Sequence, residues 1–210
     1  MTSGTLARMQ NAPMMMHPGQ AMAAGPFAHG TYTIKRPFFT FLGREFRVFD
    51  PQGHQVLYVR HKVFSLKDRW NIFTDQTMQM PLVSVGARQV FGIDITTDVF
   101  DAQTNQPIGA VRSKGLKSIL RDTWEVLGPG DQVIGSFQED SNALLRRFLP
   151  VLLGQWHMDM HGREVARLKQ VWRFFAKEFT LEIVPGAVDP RFAMACALLA
   201  LTREIMRESR

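Results

Sequence analysis

Cysteine is nearly missing from this 210-residue chain, where Cys196 stands alone. A single thiol forms no internal disulfide, so a cross-linked scaffold is excluded and nothing points to an oxidising compartment. Cys196 lies inside an apolar run, where a buried thiol behaves as a small hydrophobe. Catalytic signatures are missing too: no G-x-S-x-G, Walker A, H-E-x-x-H or C-x-x-C occurs. Gly128-Pro129-Gly130 lacks the third glycine of a dinucleotide fingerprint and reads as a hairpin turn. The apolar run Phe192–Leu201 gives about 15 Å of helix, well short of the roughly 20 residues a bilayer span needs. No signal peptide is visible, because Arg8 is followed by no compact apolar stretch. These absences predict a soluble, cytoplasmic chain, peripheral to a membrane at most, with no transmembrane span, no cofactor and no enzymatic activity.

Acidic residues are the scarcer sign. Lys and Arg number 25 against 19 Asp and Glu, a formal net charge of +6. That balance favours anionic partners such as phosphorylated headgroups, an acidic membrane surface or nucleic acid. Nucleic acid is disfavoured, since the aromatics fall mostly on inward-alternating positions rather than beside exposed Lys and Arg.

Charge is almost absent from residues 1–30, which carry Arg8 and half of the chain's 12 methionines among many Ala, Gly and Pro. This segment reads as a disordered tail. Met14-Met15-Met16-His17 offers soft ligands to Cu(I), though a flexible leader is the plainer reading.

From Thr31 onward the texture is short strands. Twelve are predicted: Thr31–Lys35, Arg44–Phe49, Gln55–His61, Asp68–Asp75, Pro81–Arg88, Gly92–Asp101, Pro107–Lys114, Asp122–Gly128, Gln132–Glu139, Gly154–Met160, Arg163–Gln170 and Glu178–Val184. Period-two alternation is clear in Ile93, Ile95, Thr97, Val99 and in Phe179, Leu181, Ile183. Turn signals such as Pro51-Gln52-Gly53 and His161-Gly162 separate them, so neighbours are antiparallel hairpins. Ser141–Leu149 interrupts the series with a helical pattern stopped by Pro150.

The last stretch decides the architecture. Asp189 and Pro190 form a helix start. The run Phe192-Ala193-Met194-Ala195-Cys196-Ala197-Leu198-Leu199-Ala200-Leu201 then has no polar face. A helix apolar all round is buried on all sides. One such helix after a long series of strands predicts a sheet closed around it.

Several phrases carry a family resemblance. They include Phe64–Asp75, Ala87-Arg88-Gln89, Val99–Arg112, Lys114-Gly115-Leu116-Lys117-Ser118, Arg121–Leu127, Ile134-Gly135 and Glu139-Asp140-Ser141. Together with the final helix they resemble the LURP-one-related family of tubby-like proteins, over about residues 31–207; phospholipid scramblases are more distant relatives. The resemblance implies a mainly β fold, a twelve-stranded antiparallel barrel enclosing a hydrophobic C-terminal helix at about residues 190–207. The implied organisation is a tail over 1–30 and a tubby-like barrel domain over 31–210.

The strongest charged constellation is Arg112, Lys114, Lys117 and Arg121, with no acid among them. Ser113, Gly115 and Ser118 add small donors and room for close approach. Such a segment suits an anionic lipid or phosphate; the plainer alternative is a solvated barrel rim. Arg146 and Arg147 form a second basic group, on the helical interruption, which fits a membrane surface or a plug at one barrel end. His157, Asp159 and His161 alternate along a strand and could ligate a metal, but His161-Gly162 reads as the turn, and no metal site is expected. Scramblases carry an acidic cluster before the final helix. Here Glu178, Glu182 and Asp189 are interrupted by Lys177, fewer carboxylates than the about 6 to 8 oxygens Ca²⁺ takes require.

The reading is a non-enzymatic binding or scaffold module recognising anionic lipid headgroups, phosphoinositide or phosphate. The alternatives are a scramblase-like lipid-handling protein or lipid-binding carrier. Another protein is the other expected partner.

Overall fold

Alternation of apolar and polar residues puts one face of every strand indoors, and twelve such strands close on themselves. The computed structural model describes residues 25–37, 44–61, 69–91, 94–113, 123–140, 153–173 and 176–208. Its strands are β1 (Thr31–Pro37), β2 (Arg44–Phe49), β3 (Gln55–His61), β4 (Trp70–Phe73), β5 (Pro81–Phe91) and β6 (Asp94–Asp101). They continue with β7 (Pro107–Ser113), β8 (Thr123–Leu127), β9 (Val133–Glu139), β10 (Gln155–Met160), β11 (Arg163–Val171) and β12 (Ala176–Ile183). Each pairs antiparallel with its sequence neighbours. β1 and β12 close the barrel in a continuous register from Thr31↔Glu182 to Pro37↔Ala176. Closure leaves none of these twelve strands as an open edge.

The helix α1 (Pro190–Glu208) threads the interior. Its start is built as the sequence predicts: the Asp189 carboxylate accepts the Arg191 N–H at 2.9 Å, with Pro190 in the first turn. Every residue from Phe192 to Leu201 is buried. They meet the inward set of the strands, among them Tyr32, Ile34, Phe46, Val85, Val99, Phe137, Trp156, Met158 and Leu181.

Two glycines are set by close approach. A Cβ on Gly109 would lie 2.6 Å from the Phe192 ring, so β7 is bare where the helix enters. A Cβ on Gly135 would lie 2.0 Å from the Asp159 carbonyl oxygen, so β9 and β10 can come together only without one.

The twelve strands and the helix match expectation, with boundary differences. β4 is Trp70–Phe73, shorter than Asp68–Asp75. Asp75 instead organises the turn, accepting from the N–H and hydroxyl of Thr77 at 2.8 and 2.6 Å. β5 runs to Phe91 across a bulge between Ala87 and Gln89. Residues 25–30, which the expected tail over 1–30 includes, are described, while residues 1–24 lie outside the described residues. Phe27 is buried and belongs to the core cluster, and Tyr32 Oη accepts the His29 N–H at 3.0 Å. The Gly30 carbonyl also accepts the Ile183 N–H at 2.7 Å, so this segment is tied to the barrel by packing and by hydrogen bonds. The helical pattern at Ser141–Leu149 lies outside the described residues.

Candidate functional site

Chain direction gives the barrel two unlike rims. At one rim the strands are joined by residues 50–54, 74–80, 102–106, 128–132 and 161–162, and 184–189 lead into α1. The helix starts there: Arg191 Nη1 donates to Asp101, at the end of β6, at 2.6 Å, and Arg191 Nη2 to Asp189 at 2.7 Å. Asp101 also accepts the N–H groups of Gln103 and Thr104, both at 2.9 Å. Burial raises the Asp101 pKa, but those N–H groups and Arg191 outweigh it, and the carboxyl sits below its ordinary range. The helix ends at the opposite rim. There Lys177 Nζ, at the start of β12, lies 3.7 Å from Glu204, and the Arg203 guanidinium stands 5.3 Å over Trp124 at the start of β8.

Of the predicted anion-binding set, Arg112 lies on β7, in register with Glu125 on β8. Its Nε and Nη2 donate to Glu125 Oε2 at 3.0 and 2.7 Å. The acid that the linear sequence lacks beside Arg112 thus comes from the facing strand. Lys114, Lys117 and Arg121 lie outside the described residues, in the chain between β7 and β8; so do Arg146 and Arg147, between β9 and β10.

The alternating histidine set splits. His157 Nδ1 lies 2.5 Å from Asp140 Oδ1, and its Nε2 lies 3.3 Å from Asp159 and 2.9 Å from Gln138. His161 instead takes the turn, with φ 52° followed by Gly162 at φ 75°. Among the described residues no group of three His, Cys, Asp or Glu is arranged to hold a metal.

The three carboxylates before the helix do not converge. Glu178 lies 3.8 Å from Lys35 and 3.3 Å from Arg173. Glu182 pairs with Lys169 at 2.9 Å, and Asp189 with Arg191. Each already faces one or two cations of its own strand neighbourhood, which removes the reason for a dication to sit there.

Linear reading missed three outer-face networks. Arg88 donates to Asp98 and Asp131 together, at 2.7 Å each for the shortest contacts; hydrogen bonds to both carboxylates push its pKa above the ordinary arginine value. Glu45, almost buried, accepts from Tyr58 Oη at 2.9 Å and from Arg47 Nη2 at 2.8 Å. Burial first, then that bond, raises the Tyr58 pKa. Arg167 pairs with Glu164 on the same strand. Alternation could have found the second, since Glu45, Arg47 and Tyr58 all fall on outward positions of β2 and β3, but Arg88 lies at the β5 bulge and Asp131 in a turn, where alternation does not apply.

Among the described residues no helix is long and apolar enough to cross a membrane. No curated protein and no solved structure matches the chain. A family model described as LURP-one-related matches residues 55–200, well over half of the chain. The closed barrel around a central helix agrees with the tubby-like placement of that family, and the chain belongs to the LURP-one-related family.

Proposed function

We propose that this protein is a non-enzymatic binding module that recognises anionic headgroups or phosphate at the rim where α1 ends. Segregation of charge between the two rims supports this reading. The connections at the rim where α1 starts contain Asp50, Asp75, Asp131 and Asp189 and no Lys or Arg. The connections at the other rim contain Lys62, Lys67, Arg69, Lys114, Lys117, Arg121, Arg146, Arg147 and Arg173 against Asp68, Asp122 and Asp140. A net charge of +6 spread evenly would orient nothing, whereas cations in the connections of one end would turn that end toward an anionic partner.

Lys114 and Lys117 are the intended contacts, with Arg121 beside them. Arg112, held by Glu125, contributes field rather than a first contact. A charge-assisted hydrogen bond is worth roughly 1.5–3 kcal/mol when partly desolvated and nearer about 0–1 kcal/mol when fully exposed. The occupied interior leaves the rims as the natural place for a ligand, because α1 side chains already fill the barrel.

The test is co-sedimentation of the full chain with phosphoinositide-containing vesicles, wild type against Lys114→Ala/Lys117→Ala. Binding should weaken as salt rises from about 0.05 to 0.5 M and should fall further in the double variant. Competition by soluble inositol phosphate, but not by inorganic phosphate, would assign the ligand to a lipid headgroup. Equal binding by both proteins would clear the two lysines, and no binding at low salt would remove the anionic-headgroup reading.

A further inference from the structure

Outward cations of the barrel wall are balanced on one side and not on the other. On β11, Arg167 and Lys169 meet carboxylates that are themselves exposed, Glu164 and Glu182. On β1 to β4 the cations stand out and the carboxylates are shielded. Lys35, Arg47 and Arg60 are 45%, 42% and 46% exposed, against 15% for Glu178 and 7% for Glu45. Glu45 already accepts from Arg47 and from the Tyr58 hydroxyl, at 2.8 and 2.9 Å. Arg60 lies 3.7 Å from Glu45 and Lys35 3.8 Å from Glu178, both beyond hydrogen-bond distance. Arg69, exposed just before β4, has no ion pair or hydrogen bond among the described residues.

Register sets these four cations in a line. Lys35 stands opposite Arg47. Arg47 stands opposite Tyr58 and Glu45 opposite Arg60, so Arg60 is one diagonal step from Arg47. Tyr58 faces Phe73 on β4; stepping back by two residues, Asn71 falls opposite Arg60, and Arg69 lies one diagonal step beyond. The alternate residues Ile34, Phe46, Val48, Val59, Trp70 and Ile72 are core, so this row points outward. Opposed side chains are about 5 Å apart and diagonal ones about 7–8 Å, which gives a line of about 20 Å. Each end and the middle has a support beneath it. Lys35 Nζ lies 4.8 Å from the centre of the Phe49 ring, and Arg60 Cζ 5.8 Å from that of Tyr58. Arg69 lies along bare β5 backbone at Gly86, where a Cβ would stand 3.4 Å from its Cβ and Nε. Such supports limit the side chains' freedom before anything binds and so lower the entropy cost of docking.

We propose that the outer wall of β1 to β4 docks an extended acidic segment of a protein partner, whose carboxylates meet Arg47, Arg60 and Arg69 in turn, with Lys35 at one end. Spacing favours this occupant over one small anion, because the cations run in a line and do not converge. Acids at alternate positions of an extended chain recur about every 7 Å, close to the diagonal step of the wall. Like charges directly opposite one another, as Lys35 and Arg47 are, cost stability, and an acid laid between them offsets that cost. The twelve strands close on themselves, so the segment crosses the wall and is held through side chains, not by strand addition. This site is separate from the headgroup reading, which concerns the rim and other residues.

The test is fluorescence anisotropy of a labelled peptide of alternating Glu and Ser, titrated with the full chain at low salt, beside a peptide of alternating Gln and Ser. The acidic peptide should bind and the neutral one should not. Arg60→Gln/Arg69→Gln should weaken binding roughly three- to tenfold without changing the melting temperature, since Glu45 keeps Arg47 and Tyr58. Removing two cations elsewhere, in Arg163→Gln/Lys169→Gln, should leave binding nearly unchanged. Equal losses in the two variants would show a response to net charge alone and overturn the docking wall. Equal binding of the neutral peptide, undiminished binding by Arg60→Gln/Arg69→Gln, or no binding of the acidic peptide would overturn it too. Co-sedimentation with anionic vesicles is run in parallel, and Arg60→Gln/Arg69→Gln should sediment as wild type does. A variant that lost vesicles and kept the peptide would assign the wall to lipid and overturn the proposal, whereas failure of the rim lysines to bind headgroups would leave it standing.

Discussion

The entry of α1 into the barrel can be tested by one methyl group. Gly109 lies on the inward side of β7, and a Cβ there would stand 2.6 and 2.7 Å from two carbons of the Phe192 ring. Real Cβ contacts are not that short, so something must move. The ring has little room, being 4% exposed and packed in the core. Overpacking of this kind costs about 1–3 kcal/mol. Against it, alanine in place of glycine inside a strand returns about 0.5–1 kcal/mol. Gly109→Ala should therefore destabilise by a net of up to about 2.5 kcal/mol, centred near about 1.2 kcal/mol or about 2–5 °C in melting temperature for a chain of this size. Phe192→Leu removes the obstructing ring at its own cost. In the Phe192→Leu background the same Gly109→Ala change should reverse sign and stabilise by about 0.5–1 kcal/mol. Urea unfolding followed by tryptophan emission reads all four corners of the cycle, because three of the four indoles are buried. The same sign in both backgrounds would refute the contact, and with it the placement of the helix start against β7.

Two further outcomes follow from buried chemistry. Burial alone pushes the Cys196 thiol pKa far above its ordinary value, so a thiol reagent at pH 8 should fail to label the native chain and label it rapidly in denaturant; prompt native labelling would mean the helix is not enclosed. Asp101 has a pKa below its ordinary range in the folded chain, so its contribution is fully present above about pH 4, its unfolded value, and is lost as pH falls through the folded value. Asp101→Asn should cost about 1–2 kcal/mol at pH 7 through the lost bond to Arg191, and the gap from wild type in urea midpoints should close below about pH 4; a gap independent of pH would refute the assignment.

The architecture was legible because its signals are local. Alternation in Phe179, Leu181 and Ile183, turn residues such as His161-Gly162, and the unbroken apolar run from Phe192 each carry their meaning without a partner. Boundaries were less legible where a side chain prefers a turn. Asp75 looked like a strand end until its bonds to Thr77 took it out of the ladder. Phe27 gave no periodic signal, since one buried ring has no period. The charged groups were the least legible. Arg112 stands in a stretch without acids, yet it is paired, because Glu125 lies 13 residues away on the facing strand. His157 looked like part of a strand-borne metal set and instead sits between Asp140 and Asp159. Pairing across strands depends on register, which a linear pattern constrains but does not number.

A structural account of the two unlike rims must be weighed before a functional one. The helix macrodipole places about half a positive charge at the start of α1 and half a negative charge at its end. Acids at the first rim and bases at the second complement it, and Asp101, Asp189 and Lys177 sit where that effect is felt. Each such charge is worth about 0.3–1 kcal/mol, and the effect fades within a turn of the helix end. One or two cations satisfy it. Glu204, about one turn before the helix end, has Lys177 within 3.7 Å, and Arg203 lies beside it in sequence. The dipole therefore explains why the rims have the signs they have. It does not explain nine cations in the connections of one rim, most of them borne on chain between strands rather than on the last turn. Nine cations in the connections of one rim, opposite a rim whose connections carry no Lys or Arg, are what the proposed anionic partner would engage.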